Sequence, residues 1–153
     1  MIELAAPHML AAALALSSAG LDARHDPAAL TCLALNVYHE ARSESATGQA
    51  AVAHVTLNRA RSKAFPGDIC GVVTQQANGR CQFSWVCDDN PVTPRNRAAY
   101  DKALRVATRA LSGAAPDPTG GATYFISTAI KTPRWAQRLT ETTAIEGHRF
   151  FRR

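Results

Sequence analysis

The fold is decided by two adjoining stretches, Tyr38-His39-Glu40-Ala41-Arg42-Ser43-Glu44 and the alanine-rich run from Gly48 to Arg59. The first stretch continues an apolar helical stripe with i, i+3, i+4, i+7 spacing, formed by Leu30, Leu33, Ala34, Val37 and Ala41. Glu40 and Glu44 lie on the flank of that stripe, so neither carboxyl points freely into water. Because partial burial raises the pKa of a carboxyl, such a glutamic acid stays protonated near neutral pH and can donate a proton. Glu40 is therefore a candidate catalytic acid.

Helical signals continue on both sides of these stretches. Pro27 suits the first turn of a helix that runs to about Arg42. The second helix is expected at roughly residues 48–62 and should be largely buried, and Asp68 caps a short helix up to Val73. A further helix is predicted with Thr93 as its cap, Pro94 at its first position and its end at Gly113.

The remaining segments predict loops and a small sheet. From Asn78 to Pro94 the apolar periodicity disappears, which is typical of an ordered loop. Short β-type runs occur at Ala122 to Ile126 and at Arg149 to Phe151. The sequence therefore predicts an α+β fold that is mainly helical, with a minor antiparallel sheet near the C-terminus.

Length and charge give weaker constraints. The 153 residues suit one domain with one core. The net charge is +5, and a basic surface favours polyanionic partners such as nucleic acid or the bacterial envelope. The same charge also suits a protein whose basic residues only keep it soluble.

The cysteines indicate an oxidising compartment. None of Cys32, Cys70, Cys81 and Cys87 lies in a Cys-x-x-Cys pair, which disfavours a zinc ribbon or a thioredoxin motif. Two disulfides would suit the periplasm or the cell exterior. Four buried thiols are the alternative, and the sequence leaves the connectivity open.

The N-terminal segment, residues 1–26, has two interpretations. Met9 to Gly20 has the length and small-residue ending of a signal-peptide core, but no Lys or Arg precedes it. A helix that packs on the domain is the alternative, and the run is too short to span a bilayer. The catalytic domain is then expected at residues 27–153, with no membrane span.

A series of short motifs carries a family resemblance. They are Glu-Ala-Arg-Ser-Glu from Glu40, Gly-Gln-Ala-Ala-Val-Ala from Gly48 with Leu57-Asn58-Arg59, Cys81-Gln82-Phe83-Ser84-Trp85, Gly121-Ala122-Thr123, Trp135 and Gly147-His148-Arg149-Phe150-Phe151. Their order and spacing, from about Leu30 to Phe151, resemble the SleB-type cell wall hydrolases, a family of spore cortex-lytic enzymes and phage lysins. The resemblance implies a small lysozyme-like fold that binds glycan strands of peptidoglycan in a cleft, with Glu40 as the catalytic acid.

The resemblance also implies a reaction. In lytic transglycosylases one glutamate first protonates the leaving oxygen and then helps the muramic acid 6-hydroxyl to close a 1,6-anhydro ring, without a cofactor. Glu44 is the obvious second carboxylate for a hydrolytic muramidase or glucosaminidase. Because residues four apart on a helix project to the same side, roughly 6 Å apart, Glu40 and Glu44 do not easily flank one sugar from opposite faces. Glu44 is instead expected to order the site, to pair with Arg42 or Arg59, or to be a solvated helix carboxylate.

Further residues are candidates for contact with the sugars. Gln82, Ser84 and Trp85 offer polar groups and an aromatic face, whereas Phe83 is expected in the core. Tyr124 and Trp135 are second-line candidates, with packing an equal alternative for Trp135. Members of the family often carry a histidine where this sequence has Tyr124.

Two rival functions remain at this stage. His39-Glu40 begins like the zinc motif His-Glu-x-x-His, but Ser43 stands where the second histidine belongs, so a zinc amidase would need scattered histidines such as His54 and His148. A non-catalytic wall-binding or nucleic-acid-binding module is the other rival, but the interleaved aromatics of a single-strand binder are missing. We expect peptidoglycan as the partner rather than nucleic acid, a monomer, no metal, and a location in the periplasm or cell envelope, as an exported cellular enzyme or a phage lysin.

Overall fold

The computed structural model of the chain describes residues 26–88 and 93–153. It contains four α-helices, α1 to α4, and five strands, β1 to β5, in these residues. The helices are Pro27–Ala41, Ala46–Arg61, Ile69–Val73 and Arg97–Leu111, and the strands are Gln76–Ala77, Arg80–Cys81, Tyr124–Ser127, Thr140–Ile145 and His148–Arg152. Short 3-10 helices lie at Ser84–Val86 and Ala136–Arg138. The predicted fold class, mainly helical with a minor antiparallel sheet near the C-terminus, is confirmed; the two interpretations of residues 1–26 concern a segment outside the described residues, Asp26 excepted.

Local capping fixes the ends of the first two helices. Asp26 accepts a hydrogen bond from the Ala28 amide at 2.9 Å, and Pro27 follows at the first helical position. Ser45 caps α2 by accepting from the Gly48 amide at 3.3 Å, so α2 begins two residues earlier than its alanine-rich pattern predicts. The tight turn between Ala41 and Ser45 brings the end of α1 next to the start of α2.

The predicted start of α4 is wrong. Asn96, not Thr93, caps this helix, and its side chain accepts a hydrogen bond from the Ala99 amide at 3.0 Å. Asparagine is a stronger cap than threonine, and Arg97 takes the first helical position that Pro94 was expected to hold. The backbone amide of Asn96 also donates to the Tyr38 hydroxyl at 3.2 Å, which fixes this end of α4 against α1.

Three of the strands form an antiparallel sheet in the order β3-β5-β4. Tyr124 pairs with Phe151 and Ser127 with His148 across β3 and β5, so the two predicted β-type runs are neighbours. The sequence reading missed β4. A register shift between Glu141 and Thr143 breaks the alternation of inward and outward side chains, which is the signal that identifies a strand.

The predicted loop after Asn78 contains a two-stranded hairpin. Asn78 and Gly79 adopt positive φ angles of 54° and 71°, and they join β1 to β2. An Asn-Gly pair favours such a turn because both residues tolerate left-handed backbone conformations. The hairpin places Arg80 and Gln82 beside the sheet.

The core has two parts and two disulfides. The larger part lies among the four helices, and a smaller cluster around Val55, Ala122 and Phe150 lies between α2 and the sheet. Cys32–Cys70 joins α1 to α3, and Cys81–Cys87 closes the segment after β2, so the prediction of two disulfides is confirmed. No helix in the described part of the chain is long and apolar enough to cross a membrane.

Candidate active site

Glu40 occupies the last turn of α1 and is partly buried. Burial raises the pKa of its carboxyl to about 7, against an opposing effect of the Arg59 charge. Desolvation disfavours the carboxylate form more than the arginine favours it. A proton is therefore held on this side chain over the pH range in which a free glutamate has lost it, as a general acid requires.

The raised pKa of Glu40 makes a stability prediction. Between the unfolded value of 4.5 and the folded value of about 7 the folded state binds more protons, so the free energy of unfolding falls as the pH rises through this window. Glu40→Gln removes this loss and should be more stable than the wild type by up to about 3 kcal/mol at pH 8, with little difference at pH 4. Urea unfolding at both pH values measures the free energy of unfolding of the two proteins, and Glu141→Gln, at an exposed strand residue, is the control. If Glu40→Gln and the wild type differ by the same amount at both pH values, the pKa of Glu40 is not raised.

Arg59 lies between Glu40 and the sheet. Only 6% of this residue's surface is exposed, and its Nε donates a hydrogen bond of 2.7 Å to the Thr123 carbonyl. The guanidinium carbon stands 5.1 Å from the ring centres of Phe65 and Phe83 and 5.6 Å from that of Tyr124. Burial lowers the pKa of Arg59 to about 10, while the charge of Glu40 opposes that effect. Phe83 is 3% exposed, which confirms its predicted place in the core.

A cavity of about 730 Å³ opens beside Arg59. Gln82, Tyr124 and Trp135, three of the predicted sugar-contacting residues, line it together. The Trp135 ring is 50% exposed, and its centre is 5.8 Å from that of Tyr124. Exposed aromatic faces beside polar groups are typical of sugar-binding clefts. We call this space the arginine cleft.

Trp85 does not line the arginine cleft. Its ring stacks on His39 with a centre distance of 4.4 Å and an angle of 12°, and its Nε1 donates to Asn36 Oδ1 at 2.9 Å. Asn36 is fully buried and donates in turn to Thr56 Oγ1 at 3.1 Å. Trp85 therefore packs behind the residue that precedes Glu40, and Ser84 is exposed beside it.

Glu44 belongs to a different group of side chains. A hydrogen bond with Glu146, together with burial, raises the pKa of Glu44, and the same bond, with bonds from Ser45, lowers that of Glu146. The Ser45 amide donates to Glu146 Oε2 at 3.0 Å, and His148 Nδ1 lies 3.9 Å from Glu44 Oε1. This cluster joins the α1–α2 turn to the β4–β5 turn.

Of the alternatives for Glu44, pairing with Arg42 or Arg59 is not found among the described residues. Among the described residues the side chains close to the Glu44 carboxyl are Glu146 and His148, and burial lowers the pKa of His148, which disfavours a charged pair there. Arg42 instead donates to the Tyr38 hydroxyl at 3.2 Å and lies over that ring. The tight turn after α1 points Glu44 toward the sheet.

The three histidines considered as metal ligands have separate surroundings. His39 stacks on Trp85, His54 bonds to the Ala115 carbonyl at 2.7 Å, and the His148 ring meets Phe125 edge to face. Among residues 26–88 and 93–153 no group of three or more His, Cys, Asp or Glu side chains is placed to hold a metal ion.

Besides Phe125 and Leu139, three polar residues that line the arginine cleft beside Arg59 were not predicted from the sequence. They are Asn78, Arg80 and Arg153. The Asn-Gly pair before Arg80 is a local signal for the hairpin that carries two of them. No local signal brings Arg153 there, because its position depends on the pairing of β5 with β3.

Comparison with known proteins defines the class of the protein. Residues 43–151 match the family described as Cell Wall Hydrolase, and the chain belongs to this family. The match begins three residues after Glu40 and includes Arg59 and the lining of the arginine cleft except Arg153.

Two solved structures resemble the fold closely. The crystal structure of the catalytic domain of the Bacillus cereus SleB protein has a TM-score of 0.68 and 29% identity, covering 88% of this chain and 94% of that one. The catalytic domain of the germination-specific lytic transglycosylase SleB from Bacillus anthracis has a TM-score of 0.69 and 30% identity, covering 83% and 96%. The resemblance to SleB-type proteins is confirmed.

Full-length relatives are longer than this chain. The spore cortex-lytic enzyme of Halalkalibacterium halodurans is 38% identical over 104 residues, which are 67% of this chain and 28% of that protein. The spore cortex-lytic enzyme of Bacillus cereus is 35% identical over 99 residues, which are 65% of this chain and 34% of the relative. The chain thus spans about a third or less of these curated relatives.

Proposed function

We propose that this protein cleaves the glycan strands of peptidoglycan as a lytic transglycosylase, with Glu40 as acid and then base. The observation that carries the proposal is the partly buried carboxyl of Glu40, whose pKa is raised to about 7, close enough to Arg59 to feel the charge of that cleft-lining arginine, in a chain that belongs to the cell wall hydrolase family. The name of the Bacillus anthracis relative supports the reaction type.

The proposed reaction has two steps and needs one carboxyl. The protonated Glu40 gives its proton to the glycosidic oxygen as the bond to C1 of the muramic acid breaks. The resulting carboxylate takes the proton of the 6-hydroxyl of the same sugar, whose oxygen bonds to C1 and closes the 1,6-anhydro ring. Glu40 ends protonated, so no water is consumed.

The arrangement of carboxyls supports one acid rather than two. Hydrolysing glycosidases use a second carboxylate across the sugar ring. Glu44 is held against Glu146 and His148. The described lining of the arginine cleft, which Glu40 adjoins through Arg59 without being part of it, offers no second carboxylate. Glu44 is proposed to order the turn after α1 and so to affect substrate binding indirectly.

We propose that substrate contacts are made mainly in the arginine cleft. Tyr124 and Trp135 offer ring faces to a sugar, and Gln82 offers an amide to hydroxyl or acetamide groups. Ser84 is exposed in the short 3-10 helix that follows Gln82 and Phe83. Trp85 is proposed to affect the site indirectly, by stacking on His39, the residue before Glu40. We further propose a monomeric enzyme that works in the envelope, such as the periplasm, and the two disulfides suit such an oxidising compartment.

The experiment is mass spectrometry of the soluble products released from purified sacculi. Muropeptides that end in 1,6-anhydromuramic acid are the expected result. Reducing ends would indicate muramidase or glucosaminidase hydrolysis and contradict the one-carboxyl reaction. Cleaved stem peptides would indicate an amidase, and binding without products would indicate a wall-binding module; either would overturn the proposal.

A further inference from the structure

The guanidinium of Arg59 is incompletely satisfied. Its Nε bond to Thr123 is the hydrogen bond that this group makes in the described structure, and its Nη1 is buried without an acceptor. A buried cationic donor without a partner is costly, so such groups usually have an acceptor in the functional state. Because Arg59 lines the arginine cleft, a ligand bound in that cleft can supply an acceptor to this guanidinium.

Two more arginines give the arginine cleft a positive potential. Arg80 and Arg153 line it with Arg59, and Asn78 and Gln82 add side-chain amides. In the described part of the chain its lining contains neither Asp nor Glu, and the Glu40 carboxyl, which interacts with Arg59 from outside the lining, is mostly protonated below its pKa of about 7. A concave site with three cations and no acid attracts an anion.

We propose that the arginine cleft binds a carboxylate carried by muramic acid, either on the lactyl group or on the stem peptide. This inference rests on the proposed function, since it names a recognition element of the same glycan substrate. A planar guanidinium matches a carboxylate with two parallel hydrogen bonds, and two exposed arginines give further donors. Tyr124 and Trp135 then contact the sugar ring that bears the acid, so ring and charge are recognised in one cleft.

The proposal predicts selectivity within cell wall glycans. Strands whose muramic acids bear free carboxylates should bind better than strands in which the same groups are neutral amides or lactams. Loss of a charge-assisted hydrogen bond corresponds to about tenfold or more in affinity.

The test is isothermal titration calorimetry with the full chain as Glu40→Gln, so that the strands are not consumed. The probes are soluble peptide-bearing strands and strands stripped of peptide by an amidase, each as free acids and as methylamides made with carbodiimide and methylamine. Arg80→Gln with Arg153→Gln removes the two exposed arginines, because replacing buried Arg59 would disturb the three rings around it. Arg105→Gln, on the exposed side of α4, is the matched charge control.

Conversion of the carboxylates to methylamides should weaken binding about tenfold or more. The double arginine variant should lose this preference for free acids, whereas Arg105→Gln should keep it. If the free acid binds better than the methylamide among the strands without peptide, the bound group is the lactyl carboxylate. If that difference occurs only among the peptide-bearing strands, the bound group is a carboxylate of the stem peptide. Equal affinity for acids and methylamides in both pairs, or an equal loss with Arg105→Gln, would overturn the inference. If the wild type cleaves acids and methylamides equally well, the proposed function stands and only this inference is rejected. If the protein binds the acids selectively but the wild type cleaves neither probe, the inference stands and the proposed function is rejected.

Discussion

Glu40→Gln is expected to lower the rate of glycan cleavage by at least about 10²-fold. The substitution keeps the shape of the side chain but removes the proton that the leaving oxygen requires, and general acid catalysis contributes 10²–10⁴-fold in many enzymes. Loss of the acid also removes the base of the second step. The measurement is the initial rate of release of soluble glycan from sacculi at pH 6, where the wild-type carboxyl, with a pKa of about 7, is mostly protonated.

Two controls separate lost chemistry from a lost fold. Glu141→Gln changes an exposed strand carboxyl that pairs with Arg149 at 3.9 Å, and it should keep the wild-type rate. The melting temperature of Glu40→Gln should be at least that of the wild type, because the variant no longer desolvates a carboxylate. A folded Glu40→Gln protein that keeps more than a tenth of the wild-type rate would contradict the assignment.

Replacing Cys32 and Cys70 with alanine is expected to lower the free energy of unfolding by about 4 kcal/mol. The bridge joins residues 38 apart in sequence and so removes more entropy from the unfolded chain than Cys81–Cys87, which joins residues six apart. The same relation gives about 2 kcal/mol for the shorter loop. Urea unfolding of both double variants, at one pH, tests the order of the two losses.

The two disulfide variants should also differ in activity. Cys81–Cys87 encloses Gln82 and Trp85, so its removal should impair cleavage more than its small effect on stability suggests. Cys32–Cys70 lies between α1 and α3, away from the lining of the arginine cleft. An unchanged free energy of unfolding in the Cys32 and Cys70 variant would mean that this pair does not bridge in solution.

Periodicity predicted the helices well and the sheet only partly. The apolar stripe that includes Leu33 and Val37 identified α1 because a helix repeats its buried face every three or four residues. The same reasoning missed β4, in which a bulge near Thr142 interrupts the two-residue alternation. It also placed the cap of α4 at Thr93, although Asn96 offers the better side chain.

The residues of the candidate site were likewise predicted only in part from the sequence. Glu40 was predicted to be the catalytic acid from its flank position on α1 and from the family motif, and its burial raises the pKa of the carboxyl in the predicted direction. Gln82, Tyr124 and Trp135 were identified by residue type, and the structure places them in one cleft. The cluster of Glu44 with Glu146 escaped prediction because it depends on a contact across 102 residues of sequence, which no local pattern encodes.

The most direct test of the central claim, that one carboxyl acts as acid and then base, is digestion of sacculi by the wild-type protein in water enriched in ¹⁸O. The account predicts 1,6-anhydromuramic acid ends without the label, because the substrate's own 6-hydroxyl attacks C1 and no water enters the product. Reducing ends that carry ¹⁸O would show that water is the nucleophile, and they would contradict the one-carboxyl reaction at Glu40.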